Sequence, residues 1–364
     1  MRKIIILLLM AQISFAQNFT QKLDALLKSH IGNEEAGMAV LVIKDGKILY
    51  KDGFGLADVA TQTPITPQTN FRMASVSKQF TAACIILLEN RGMLNYEDNL
   101  LKFFPDFNKE VGSKIKIKHL LTHTSGIHDY EELIPDNQKE QIADADVLQF
   151  LKGQSKTYFD AGSKFRYSNS GFCLLEQIIE KASGQNFVTF IKANIFEPLG
   201  MDNTTIYEAG RPIPYRAMGY ARNKEGKLVF SDQSITSATK GDGCVYTSLD
   251  DYTKWYQALT TNQLINTDVA LKKINHGIEG TKGISYGLGW FNGTGVKGLE
   301  LYHTGSTCGF SNVVNIVPSK RFLMVYFSNI ADNHGLEKPI RDLLKAEMID
   351  STAVDFGKAL SLTN

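Results

Sequence analysis

The chain has 364 residues, 43% hydrophobic and 21% charged, with 39 Lys and Arg against 38 Asp and Glu. At roughly 150 residues per domain this is two domains' worth of chain or one large discontinuous fold, and the composition excludes disorder, collagen and coiled coil. A formal net charge of +1 without a clustered basic run leaves no field for collecting nucleic acid.

Residues 1–16 read as an export signal. Met1-Arg-Lys3 is a short positive start, Ile4 to Ile13 is apolar apart from Gln12, and Ser14 and Ala16 supply the small residues for a cut before Gln17. The apolar run of about ten residues is too short to span a bilayer, and no cysteine follows the cut to carry a lipid. The mature protein is therefore expected to be periplasmic or secreted, with no membrane anchor.

Phe19 to Ile31 carries Phe19, Leu23, Leu26 and Leu27 at helical spacing. Met38 to Ile43 and Lys47 to Lys51 flank Asp45-Gly46, a strong hairpin signal. After the break at Thr63-Pro-Ile-Thr-Pro67, Lys78 to Arg91 is a long apolar helix ending at Gly92. Lys114-Ile-Lys-Ile-Lys118 alternates and reads as a half-buried extended segment with a solvated basic face. Helices are expected at Ala145 to Leu151, Gly171 to Ala182 and Phe187 to Ile195. Strands return at Ser285 to Phe291, Glu300 to Thr304, Asn312 to Val317 and Phe322 to Ser328, and a helix closes at Leu336 to Met348. The expected fold class is thus α/β of the α+β type, an antiparallel sheet flanked by N- and C-terminal helices with a mostly helical inserted lobe. Residues 17–72 and 235–350 form the discontinuous sheet region, 73–234 the helical region and 351–364 a tail.

Four cysteines do not make a disulfide scaffold. Cys84 and Cys173 lie in apolar helical patterns as buried thiols, and a Cys244–Cys308 bridge between Gly-rich segments is not the favoured reading. His119, His123 and His128 lack an H-E-x-x-H pattern and read as structural or rim residues. No metal or other cofactor is expected.

Ser75-Val-Ser-Lys78 opens the first long helix. Residues three apart share a helix face, so the Ser75 hydroxyl and Lys78 amine can meet. Helix-start N–H groups lack partners and can be offered to a developing oxyanion. Ser113-x-x-Lys116 and Ser237-x-x-Lys240 have the same spacing, but only Ser75 precedes a strongly apolar helix. Tyr167-Ser-Asn169 leads into the helix at Gly171; it reads as an N-cap turn, or as a phenol that moves a proton beside an amide that holds substrate. His303-Thr-Gly305 runs into Ser306 and reads either as a plain strand end or as an edge that pairs with an amide substrate, the Ser306 N–H completing an oxyanion hole.

Taken together, these three elements resemble those of the class C β-lactamase-like hydrolases within the serine β-lactamase and penicillin-binding protein superfamily. That group includes β-lactamases, DD-peptidases, D-aminopeptidases and carboxylesterases. Phe71 to Thr81, Leu120-Leu-Thr-His-Thr-Ser-Gly-Ile127, Phe165 to Asn169, Pro198-Leu-Gly-Met201 and Tyr286-Gly-Leu-Gly-Trp290 extend the resemblance over roughly residues 37–348. It implies a β-lactamase/transpeptidase-like fold and an acyl-enzyme on Ser75, with Lys78 and Tyr167 moving protons. It further implies that Asn169, His303, Thr304, Gly305 and Ser306 bind a small-molecule or peptide substrate. His303 stands where class C β-lactamases have lysine; with an ordinary value near ~6.5 it is expected to change charge in the working pH range and to meet a substrate carboxylate. Asn329-Ile-Ala-Asp-Asn-His334 lacks the arginine that class C enzymes place there, and Cys244 stands where the family often has glycine. Three functions follow: an exported hydrolase of peptide amides or esters, including D-amino acid peptides; a β-lactamase; and a non-catalytic homologue, disfavoured because Ser75, Lys78 and Tyr167 are all present.

Overall fold

The computed structural model describes residues 18–32, 34–296, 298–349 and 352–362, so the proposed export signal lies outside the described residues. Asp45 (φ 53°) and Gly46 (φ 78°) take the paired positive-φ turn whose twist matches antiparallel strands. That turn closes β1 (Met38–Lys44) on β2 (Lys47–Phe54). More than 200 residues later the chain returns with β3 (His276–Gly277), β4 (Ile284–Gly287), β5 (Trp290–Gly295), β6 (Gly298–Thr307), β7 (Phe310–Val317) and β8 (Phe322–Ser328). β8 pairs with β1, giving one eight-stranded antiparallel sheet in the order β3-β4-β5-β6-β7-β8-β1-β2. β7 and β8 are buried along their whole length, which requires cover on both faces of the sheet.

Residues 18–28 form helix α1, which buries Phe19, Leu23 and Leu27 and is tied to β2 by Tyr50 Oη donating to Asp24 at 2.7 Å. The inserted lobe holds α2 (Lys78–Asn90), α3 (Asp144–Lys152) and α4 (Asn169–Ser183), with α4 packed against both others. α5 (Leu249–Thr261) leads back to the sheet, and α6 (Glu337–Ala346) closes the core with Ile340 and Leu344. No helix among the described residues is long and apolar enough to cross a membrane.

Two sequence expectations change. The run Ser285 to Phe291 is a hairpin rather than one strand: Leu288 (φ 56°) and Gly289 (φ 78°) form a second positive-φ turn between β4 and β5. A leucine at such a position gives no turn signal. Lys114 to Lys118 buries Ile115 and Ile117 as expected but is not extended throughout. A short helix starts at Ile117, with the His119 ring accepting the Lys116 N–H at 3.2 Å. Residues 352–362 dock on the sheet: Glu300 accepts the Ala353 and Val354 N–H groups at 2.6 and 3.1 Å, and Phe356 stacks on Tyr302. All four cysteines are free, and Cys244 Sγ donates to the Ser237 and Thr239 carbonyls.

Candidate active site

Ser75 lies on a single 3₁₀ turn, Ala74–Ser77, that runs directly into α2. Ala74 before it holds φ 47°, a conformation costly for a residue with a Cβ and sustained only where surroundings over-determine it. The surroundings do so. Met73 N–H donates to Val245 O at 2.8 Å, and Asn312 Nδ2, on β7, donates to Arg72 O at 2.9 Å. The turn therefore presents Ser75 half-buried, with its side chain toward the lobe.

Lys78 is fully buried, and all three of its donors are used: Ser75 Oγ at 3.0 Å, Asn169 Oδ1 at 2.9 Å and the Asp242 carbonyl at 3.0 Å. Its Nζ also lies 5.1 Å from the centre of the Tyr167 ring. The first two motifs thus meet although Lys78 and Asn169 sit 91 residues apart. Tyr167 Oη and His123 Nε2 are buried without a hydrogen-bond partner of ordinary geometry among the described residues; their ring centres lie 4.2 Å apart, and burial together with Tyr167 pushes the neighbouring Tyr286 phenol up. His123 Nδ1 accepts the Ser168 N–H at 3.1 Å, and burial, with Lys78 nearby, holds the ring well below its ordinary value and neutral.

His303-Thr-Gly305 lies where β6 passes the Ser75 turn. β5 pairs with β6 only as far as Tyr302, so among the described residues no strand covers 303–307 on that side. The glycine is demanded by proximity: a Cβ on Gly305 would sit 2.2 Å from Met73 O. Gly289 serves the same purpose at the start of α2, where a Cβ would lie 2.6 Å from the Lys78 main chain. The imidazole of His303 departs from expectation. It is 1% exposed, and its Nδ1 donates to Thr304 O at 2.6 Å, which leaves Nε2 to accept from Tyr286 Oη at 3.0 Å. Burial pushes it down to about 3, so it stays neutral through the ordinary pH range and does not face substrate as a switching charge.

Ser75, Asn169 and Ser306 open on one cleft of about 110 Å³, together with Arg72, Glu131 and Asp242. The spacing arguments missed several of these. Glu131 Oε1 accepts from Asn169 Nδ2 at 3.0 Å. Asp144, from α3, accepts the Lys240 and Gly241 N–H groups at 2.6 and 3.0 Å and so braces the turn whose Asp242 carbonyl meets Lys78. Burial raises the Asp144 carboxyl to about 6 and that of neighbouring Glu176 to about 9. Nothing in the spacing pointed to these acids, because their partners are remote in sequence. The other Ser-x-x-Lys tetrads are elsewhere engaged: Lys116 pairs with Glu97, and Ser237 Oγ accepts the Ser234 N–H. Asn329 is fully buried and bonded to four main-chain groups, so it stands in the fold and not at the site. Among the described residues no group of three or more His, Cys, Asp or Glu is arranged to hold a metal ion.

The chain is 31% identical to penicillin-binding protein 4* of Bacillus subtilis over 344 residues, covering 89% of this chain and 75% of that one. The octameric penicillin-binding protein homologue from Pyrococcus abyssi superposes with a TM-score of 0.76 at 25% identity, over 90% of this chain and 76% of its own. The D-amino acid amidase from Ochrobactrum anthropi SV3 shares the fold, with a TM-score of 0.74 at 22% identity over 91% and 98% of the two chains. With residues 15–347 matching the family described as Beta-lactamase, the chain belongs to that family of serine hydrolases.

Proposed function

We propose that the protein is an exported acyl-transfer hydrolase that cleaves amide or ester bonds, D-amino acid peptides among them, through an acyl-enzyme on Ser75. The observation that carries this reading is the 3.0 Å contact between Lys78 Nζ and Ser75 Oγ inside a buried, hydrogen-bonded site. For attack Lys78 acts as the neutral amine, keeping its donors on Asn169 Oδ1 and the Asp242 carbonyl and turning its lone pair to Ser75; as Oγ bonds to the substrate carbonyl carbon, its proton passes to that amine. Tyr167, whose ring centre lies 5.1 Å from Lys78 Nζ, hands its proton to the leaving nitrogen or oxygen as the bond to the acyl carbon breaks, and recovers one from the Lys78 ammonium. The oxyanion meets the main chain at Ser75 and Ser306, which line the same cleft, and Thr304 and Gly305 flank the substrate as a strand edge. Water then repeats the sequence in reverse roles to release the acyl group. Asn169 bridges Lys78 and the substrate, while His303 acts from behind the strand by fixing Tyr286 against Thr304.

A dedicated β-lactamase is the less supported reading. The segment 329–334 offers no arginine for a carboxylate, and His303 supplies no charge in its place. The test is covalent labelling by a fluorophosphonate and a fluorescent penicillin, with a turnover panel of a chromogenic cephalosporin, a p-nitrophenyl ester and a D-Ala-D-Ala peptide. Ser75→Ala is expected to lose all labelling and about 10⁴-fold or more in kcat. Labelling that survives in Ser75→Ala, or a wild type that no probe acylates, rejects the mechanism.

A further inference from the structure

Tyr286, on β4, is fully buried, and five rings pack on it: those of Phe165, Phe291, His123, Tyr167 and His303. Only the last three carry polar atoms, and the fold fixes where the two imidazoles hold their protons. His303 Nδ1 donates to Thr304 O, so its Nε2 is an acceptor and takes the Tyr286 proton at 3.0 Å. His123 Nδ1 accepts the Ser168 N–H, so that neutral ring carries its own proton on Nε2 and has no lone pair left for a donor. Among these rings Tyr286 therefore has two places to send its single proton: His303 Nε2 or the oxygen of Tyr167.

The resting arrangement is the first of these. With its proton on His303, the Tyr286 oxygen shows only lone pairs to Tyr167, whose ring stands at 86° to its own with centres 6.0 Å apart. Burial first, and then Tyr167 through charge and hydrogen bonding, push the Tyr286 phenol well up, so Tyr286 keeps its proton. A hydroxyl proton turns about its C–O bond to suit its surroundings. A phenolate on Tyr167 would draw the Tyr286 proton away from His303, because a hydrogen bond to a charged oxygen is roughly twice as strong as a neutral one.

We infer that Tyr286 is a positioning residue for Tyr167: its hydroxyl rests on His303 and turns to Tyr167 whenever Tyr167 becomes a phenolate. This rests on the acyl-transfer reading above. As the acyl-enzyme forms from an ester, the bond between the acyl carbon and the leaving oxygen breaks, and Tyr167 gives that oxygen its proton. The Lys78 ammonium then returns a proton to Tyr167. Between the two transfers Tyr167 carries the negative charge, and the Tyr286 O–H bonds to it without giving up its proton. The rotation therefore helps only where the leaving group needs a proton.

The experiment measures single-turnover acylation, with enzyme in excess, by the methyl and p-nitrophenyl esters of N-acetyl-D-alanine. Methoxide must be protonated to leave, whereas p-nitrophenolate leaves as the anion, so the ratio of the two rates reads the Tyr167 transfer and cancels losses that a structural defect imposes on both. The proteins are wild type, Tyr286→Phe, His303→Leu and the double variant, which removes donor and acceptor together and so leaves no orphaned acceptor at Nε2 to unfold it. Tyr286→Phe and the double variant are expected to lose about 10- to 100-fold with the methyl ester and less than about threefold with the p-nitrophenyl ester, as fits one hydrogen bond to a charged group. His303→Leu, which leaves the Tyr286 proton only Tyr167 to serve, is expected to keep the wild-type ratio. A ratio unchanged in Tyr286→Phe and the double variant, or lost equally in His303→Leu, overturns the inference while the acyl-transfer reading stands. A wild type that neither ester acylates at Ser75 removes the proposed function itself, and this inference with it.

Discussion

Gly305→Ala isolates the contact between the β6 edge and the Ser75 turn. The added Cβ would start 2.2 Å from Met73 O and 3.3 Å from Ser75 N, where ordinary contact begins at 3.4 Å, so turn and strand must separate by roughly 1 Å. Neither partner yields easily. β6 is registered on β7 through Thr304↔Val313 and Gly305↔Asn312, and Asn312 in turn holds Arg72 O. The separation therefore opens the space between Ser75 and Ser306, where the substrate carbonyl is proposed to lie. Overpacking of this size costs about 1–3 kcal/mol of stability, whereas misplacing reacting groups by about 1 Å costs on the order of 10²-fold in rate. The assay is kcat/KM for a p-nitrophenyl ester alongside urea unfolding, with Gly277→Ala as control because nothing lies within 4 Å of a Cβ there. The expected result is a rate loss near a hundredfold in a protein that remains folded. Activity within threefold of wild type, or a loss matching the unfolded fraction, refutes the close-approach argument.

Further outcomes follow from the buried groups. Lys78→Ala should be nearly as damaging as Ser75→Ala, and the double mutant no slower than the worse single one, as measured by single-turnover acylation; additive losses would show that the two do not act as a unit. His303 binds its proton near pH 3 when folded but near ~6.5 when unfolded, so the unfolded chain holds more protons between those values and wild-type stability climbs with pH across that window. The stability difference between wild type and His303→Asn, measured by urea titration, should grow from pH 4 to pH 7 by on the order of 1 kcal/mol or more, and a difference constant with pH contradicts the neutral buried ring. Glu176 runs the opposite way: its folded value of about 9 exceeds the unfolded one, so its contribution is complete below about pH 4.5 and lost as pH rises through about 9. Glu176→Gln should gain stability relative to wild type between pH 5 and pH 8, and Tm values that track each other across that range would reject it.

Local patterning was enough to read most elements of this chain, because its helices and strands bury continuous or periodic apolar runs. Lys78 to Asn90, the Asp45-Gly46 hairpin and Phe322 to Ser328 were all legible for that reason. The three motifs were visible as well, since Ser-x-x-Lys, Tyr-x-Asn and His-Thr-Gly are each short local patterns, and the fold brings them near one another. The β4–β5 turn at Leu288 was not, because its backbone is imposed by the sheet and not by residues that favour it. Charge and contact at the site were also beyond local reading. His303 looks like a titrating group in sequence, yet burial against Tyr286 and Thr304 makes it neutral. Glu131 and Asp144 look like ordinary surface acids, and only the packing of α3, α4 and the 240–243 turn brings them beside Asn169 and behind Lys78. Secondary structure depends on neighbours a few residues away, whereas the ionisation and aim of a side chain depend on whatever the fold brings around it, here from segments as much as 240 residues distant.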